Sequence, residues 1–129
     1  MEPRCLLLDE AGSMLDDTSR DRFMGAVERL NAEGIAVVSV TQDMDEASRA
    51  KRVIVMSRGR VVMDGTAREV FAKGPELERI KLGLPKAAEF SAKLRKTVPD
   101  FPLGMLTLGE LAREIGKRVT GRRAHAGKG

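Results

Sequence analysis

The chain has 129 residues, of which 42% are hydrophobic, 33% charged and 3% aromatic, enough for one domain with a modest core and too little for a large independent enzyme. No apolar run approaches the roughly 20 residues that cross a bilayer, and the start runs Cys5 to Leu8 into two acids, unlike a secretory signal, so the chain reads as soluble and cytoplasmic. One cysteine, Cys5, and one histidine, His125, exclude an internal disulfide and a structural zinc cluster, while the net charge of +4 belongs to a basic end in which Lys117, Arg118, Arg122, Arg123 and Lys128 meet no acid.

Cys5 to Leu8 followed by Asp9 is the pattern of a buried parallel strand with a polar group at its carboxyl end. Cys5 is expected to be a small core residue there, not a nucleophile. After a loop through Gly12 and Ser13, Asp17 or Thr18 caps a helix to about Glu33, with Phe23, Val27 and Leu30 on one face and Gly34 ending it. Ile35 to Val40 makes a second buried strand, with Thr41 and Gln42 at its carboxyl end. Asp43 and Glu46 have the spacing of a capping-box variant, opening a short helix to Arg49 or Ala50.

Arg52 to Met56 and Arg60 to Met63 read as a hairpin around the Arg58-Gly59 turn, at a sheet edge. Thr66 and Glu69 form another capping box, and Gly74-Pro75 breaks the helix it opens. Three helical stretches follow, over Glu76 to Leu82, Lys86 to about Lys96 and Thr107 to about Val119; the last has Thr107 and Glu110 at capping-box spacing and an apolar stripe of Leu108, Leu111 and Ile115 that reads as core. Three parts are expected: an α/β piece over 1–73, a helical appendix over 74–119 and a disordered basic tail over 120–129. The tail reads as a solvated end; with no aromatic residues interleaved for base stacking, no nucleic-acid partner is expected. A buried parallel strand needs neighbours on both edges and cover on both faces, and the chain is short of both, so it reads as part of a fold.

Three polar clusters follow apolar strands or the loop after one: Asp9-Glu10, Ser13 to Asp16, and Thr41-Gln42-Asp43. In an open α/β sheet, the carboxyl ends of neighbouring strands line one crevice where such clusters converge. Paired acids at a strand end suit phosphoryl transfer, one carboxylate holding a metal through water and the other orienting the attacking water.

Cys5-Leu6-Leu7-Leu8-Asp9-Glu10-Ala11 resembles the Walker B segment of ATP-binding cassette (ABC) ATPases, and Ser13-Met14-Leu15-Asp16 is similar to the D-loop that follows it. Val38 to Ala47 resembles the family's switch segment, and Val53 to Thr66 its closing hairpin. The Ser-Met-Leu-Asp loop and the helical extension most resemble the ATPase subunits of energy-coupling factor transporters, which import vitamins, cobalt or nickel. The resemblance implies a partial P-loop NTPase (ABC ATPase) fold of the α/β class, with parallel strands, an edge hairpin and a small carboxyl-terminal helical appendix. It implies that Asp9 holds a magnesium ion through water, that Glu10 is the catalytic carboxylate, that Gln42 reaches the nucleotide's γ-phosphate, and that Ser13 and Asp16 lie at the interface with a second ABC ATPase subunit. ATP and magnesium are the implied cofactors of the complete subunit. The implied partners are that second ATPase, a transmembrane coupling protein and a substrate-binding membrane subunit, with the assembly on the inner face of the cell membrane.

Two departures qualify the resemblance. Gln42 stands where the family usually has histidine; its amide can donate a hydrogen bond but cannot carry a proton. No Gly-x-x-x-x-Gly-Lys-Ser/Thr loop occurs in the sequence, nor the Leu-Ser-Gly-Gly-Gln signature, and backbone amides of the former supply most phosphate binding. The chain is therefore expected to be the carboxyl-terminal half of such an ATPase, inactive alone; the alternative is a non-catalytic module that binds a partner ATPase or coupling subunit.

Overall fold

The computed structural model describes residues 4–126, and side chains through residue 121. Contacts divide the chain into two compact units, residues 1–47 and 48–129. The division groups the hairpin, expected within 1–73, with the helices that follow it.

The first unit is a parallel strand pair with helices between and after the strands. β1 (Cys5–Asp9) pairs in parallel with β2 (Ala36–Val40), Cys5 beside Ala36 and Asp9 beside Val40. The crossover is α1 (Asp17–Ala32), which packs against β2 and buries Met24 and Val27. Asp16, rather than Asp17 or Thr18, caps this helix: its carboxylate accepts the Ser19 N–H at 2.8 Å and the Ser19 hydroxyl at 3.0 Å. Gly34 follows the helix at φ +95°, where a Cβ would be strained.

The strands are not buried as their apolar runs lead one to expect. Cys5 is exposed, as are Leu7, Val38 and Val40, because among the described residues β1 and β2 pair only with each other and one face carries no cover. Cys5 is thus a surface thiol and not a core residue. The short helix α2 (Met44–Ala47) starts at Asp43, whose carboxylate accepts the N–H groups of Asp45 (2.9 Å) and Glu46 (3.1 Å). The expected box does not close: the Asp43 N–H is taken by the Thr41 hydroxyl at 3.0 Å, and Glu46 turns inward.

The second unit starts with β3 (Val53–Ser57) and β4 (Arg60–Gly65), an antiparallel hairpin turned by Arg58 (φ 50°) and Gly59 (φ 74°), the two positive φ values of a type I′ turn. The register slips between Val55 and Met56, leaving a bulge that exposes both Val61 and Val62. Arg52 clamps the far end with two bonds to the Asp64 carboxylate, at 2.8 and 2.6 Å.

Thr66 and Glu69 close the full capping box of α3 (Ala67–Phe71). Gly74-Pro75 opens α4 (Gly74–Arg79) as well as ending α3, since proline fits the first helical turn. α5 (Lys86–Thr97) and α6 (Leu108–Ala126) complete the unit. Its core is Val53, Val55, Val70, Phe71, Leu77, Phe101, Met105 and Leu111. Of the expected stripe on α6 only Leu111 is buried; Leu108 is 64% exposed and Ile115 also reaches the surface. α6 runs past the expected end at Val119 to Ala126, so the basic stretch from residue 120 is helical that far; Gly127 to Gly129 lie outside the described residues. Among the described residues no helix is long and apolar enough to cross a membrane.

Candidate functional site

All three polar clusters lie in the first unit. β1 delivers Asp9 at its carboxyl end, and the next residue, Glu10, donates its N–H to the Val40 carbonyl at 2.8 Å. That bond fastens the turn after β1 to the last residue of β2, two residues before Gln42. Glu10 holds φ 48°, a left-handed backbone that is uncommon for a residue with a Cβ and clusters at functional positions.

Ser13 fixes the turn from the other side. Its N–H and its hydroxyl both donate to the Glu10 carbonyl, at 3.1 and 2.8 Å. The loop then ends on Asp16, whose two carboxylate oxygens are engaged by Ser19. Those bonds, the Ser19 N–H first, hold the Asp16 carboxyl below the usual carboxylate range, so it stays ionised at the helix N-terminus. Asp16 therefore has a structural role in this unit, as a helix cap.

Two residues that sequence reasoning passed over tie the clusters together. Arg20, on the first turn of α1, donates to the carbonyls of Gly12 (3.3 Å) and Leu15 (3.2 Å) and pairs with Asp43 at 3.3 Å. One guanidinium thus spans the Ser13–Asp16 loop and the segment after β2. Glu46, 5% exposed, accepts the Ser39 hydroxyl at 2.8 Å and lies against Gly12, where a Cβ would approach its carboxylate to 2.8 Å. Gly12 is the residue whose absent side chain lets the loop reach α2. The planar fork of donors on Arg20 suits the capture of loop carbonyls. No periodicity marked it.

Asp9 and Gln42 are exposed at the same end of the strand pair as Glu10. Among the described residues, no group of three His, Cys, Asp or Glu side chains gathers as a metal site. The donor set that Asp9 offers is a single hard carboxylate, the kind a magnesium ion uses together with water and phosphate oxygens. The donors that cradle phosphate are not among these residues.

No family model matches the chain. Among curated proteins, it is 45% identical over 116 residues to an energy-coupling factor transporter ATP-binding protein of Symbiobacterium thermophilum, covering 89% of this chain and 40% of that one. It is 41% identical over 116 residues to the protein of the same name from Caldanaerobacter subterraneus, covering 89% of this chain and 42% of the relative. A third, from Enterococcus faecium, is 36% identical over 108 residues, covering 83% and 39%. The chain therefore spans about 40% of the length of the curated relatives it matches. Over that span its sequence matches the ATP-binding proteins of energy-coupling factor transporters.

Proposed function

We propose that the chain is the carboxyl-terminal part of an ABC-type ATPase with a P-loop NTPase fold, which in complete form binds and hydrolyses ATP to energise import across the membrane, of the vitamin, cobalt or nickel type. The observation that carries this reading is the pinned turn at Asp9-Glu10: two adjacent carboxylates at the end of β1, with Glu10 in a left-handed backbone fastened by Val40 and Ser13. Strain of that kind persists where surrounding bonds impose it and a side chain must be aimed.

In this reading Asp9 holds magnesium through water, and Glu10 orients and polarises the attacking water. Magnesium, when bound, offsets the charge that develops on the phosphate oxygens. Gln42 donates its amide to the γ-phosphate. It can position but not relay a proton, so turnover is slower than with histidine. Ser13 and Asp16 face a second ATPase subunit; a transmembrane coupling protein and a substrate-binding membrane subunit complete the assembly at the inner face of the membrane.

The phosphate cradle has to come from residues outside the three clusters. The isolated chain is expected to show no magnesium-dependent ATP turnover above a protein-free blank. A chimera in which this chain replaces the matching 116 residues of the Symbiobacterium relative is expected to hydrolyse ATP. Turnover by the isolated chain would refute the placement of the phosphate cradle outside it, and a folded chimera that neither binds nor hydrolyses ATP would refute the assignment.

A further inference from the structure

Glu46 is a buried carboxylate with no part in the proposed reaction. Burying such a group is costly unless hydrogen bonds answer it, so its contacts define what it holds. Its Oε1 accepts the Ser39 hydroxyl at 2.8 Å. Ser39 lies on β2 before Gln42 and Glu46 lies on α2 after it, so this bond closes the segment that carries Gln42 into a loop. The Glu46 N–H donates to Asp43 Oδ1 at 3.1 Å, and the Asp43 N–H donates to the Thr41 hydroxyl at 3.0 Å. Both neighbours of Gln42 are thereby held while Gln42 itself stays exposed. α2 has four residues, too few to sustain a helix by propensity, so these side-chain bonds fix the segment. The other carboxylate oxygen, Oε2, stands only 2.8 Å from where a Cβ on Gly12 would lie. Gly12 is buried in the loop that Ser13 fastens to the Glu10 carbonyl. One carboxylate thus touches the Gln42 segment on one side and the loop after Glu10 on the other.

We propose that Glu46 is a positioning residue for ATP hydrolysis: it braces the segment after β2 against Gly12 and so sets Gln42 at a fixed spacing from Glu10, without touching substrate itself. The tasks of Glu10 and Gln42 rest on the reading under Proposed function; the brace is argued from contacts within the first unit. Spacing of that kind governs rate, since a shift of about 1 Å in a reacting geometry can cost on the order of 100-fold. Gly12 belongs to the same device. Any larger residue there would push the carboxylate away from Ser39, and glycine lets the loop and the carboxylate meet directly.

Rates are measured in the chimera with the Symbiobacterium relative and amide exchange in the full chain. Glu46→Ala is expected to lower kcat about tenfold with the KM for ATP unchanged. It should also speed exchange at the Asp43 and Ala47 amides by about tenfold while the β1–β2 ladder stays protected. Glu46→Gln keeps an acceptor at the same reach and should restore kcat to within about threefold of the unaltered chimera. Ser39→Ala removes the donor at an exposed position, and it carries the test if Glu46→Ala does not fold; kcat should fall by about threefold or more. The decisive comparison is made in a Gln42→Ala background, where Glu46→Ala should change kcat by less than about twofold, because a positioning residue acts only through the group it positions. Equal loss with and without Gln42 overturns the inference, since Glu46 then supports the unit as a whole. An unaltered kcat in Ser39→Ala also overturns it. If the chimera hydrolyses no ATP while exchange quickens at Asp43 and Ala47 alone, the brace stands and the functional reading fails. If the chimera hydrolyses ATP and those amides exchange at the same rate in Glu46→Ala, the functional reading stands and the brace fails.

Discussion

Glu10 and Arg20 carry the geometry of the candidate site at the scale of single residues. A left-handed residue with a Cβ costs roughly 1–2 kcal/mol, a penalty glycine escapes and a β-branched residue feels in full. Glu10→Val is therefore expected to unfold at lower urea than Glu10→Gly, by about 1–2 kcal/mol; equal stabilities would mean that the turn relaxes and the backbone is not imposed. Arg20 acts by joining two loops. Its pair with Asp43 is partly solvated, so its net worth is under about 1 kcal/mol, and Arg20→Gln should speed amide exchange at Leu15 and Glu46 by roughly fivefold while leaving the β1–β2 ladder protected. Uniform acceleration across the unit would show instead that Arg20 supports the fold as a whole. The sequence disclosed Asp9 and Glu10 because paired acids after an apolar run are unusual. It did not disclose Arg20 or the Ser39–Glu46 bond, because both are tertiary matches between residues whose local patterns are ordinary surface patterns.

Elements with a local cause were legible. The hairpin was readable from Arg58-Gly59 between apolar runs, and α3 from Thr66 and Glu69, since turn and cap chemistry act within a few residues. Thr66→Ala should cost about 1 kcal/mol by removing one half of that box. Leu77, fully buried, should cost about 2–5 kcal/mol as Leu77→Ala, measured by urea denaturation. A different group of contacts makes the second unit sensitive to acid. Glu110 accepts from Arg68 (2.8 Å) and from the Leu106 N–H (3.0 Å), and these bonds, Arg68 first, hold its carboxyl below the usual range. Asp64 and Glu69 are lowered in the same direction by Arg52 and Thr66. A pKa lower in the folded than in the unfolded chain gives stability that is fully present above the ordinary carboxylate range and is lost as pH falls through the folded value. The urea midpoint should therefore drop on going from about pH 6 to about pH 3, and Arg68→Gln should flatten the part due to Glu110. A midpoint that rises over that interval would contradict these assignments. Burial was the part that local patterns misjudged. An apolar run states that a strand is built to be covered, while cover depends on neighbours, and Cys5, Leu7 and Leu108 are exposed for want of them.

For the whole molecule, the division between Ala47 and Ser48 separates the candidate site from the helical unit. The first unit holds the carboxylates, the loop after β1 and the segment after β2, yet among the described residues one sheet face has no second layer; the second has its own core around Leu77 and Phe101. Unequal cover implies unequal stability. Amide exchange in the isolated chain should be slower in α3 and α4 than in β1 and β2, and the reverse order would mean that the strand pair is self-sufficient. The relatives, matched over about 40% of their length, are named transporter ATP-binding proteins. If this chain contributes hydrolytic carboxylates to such a protein, as proposed, hydrolysis must fail when they are neutralised. The most direct measurement is the initial rate of magnesium-dependent ATP hydrolysis by the chimera with the Symbiobacterium relative, with Glu10 intact and as Glu10→Gln. Loss of about 100-fold or more, with ATP binding retained, is the expected result, since the amide can neither polarise water as a carboxylate does nor accept its proton. A Glu10→Gln chimera that hydrolyses ATP at the unaltered rate would contradict the placement of the catalytic carboxylate in this chain.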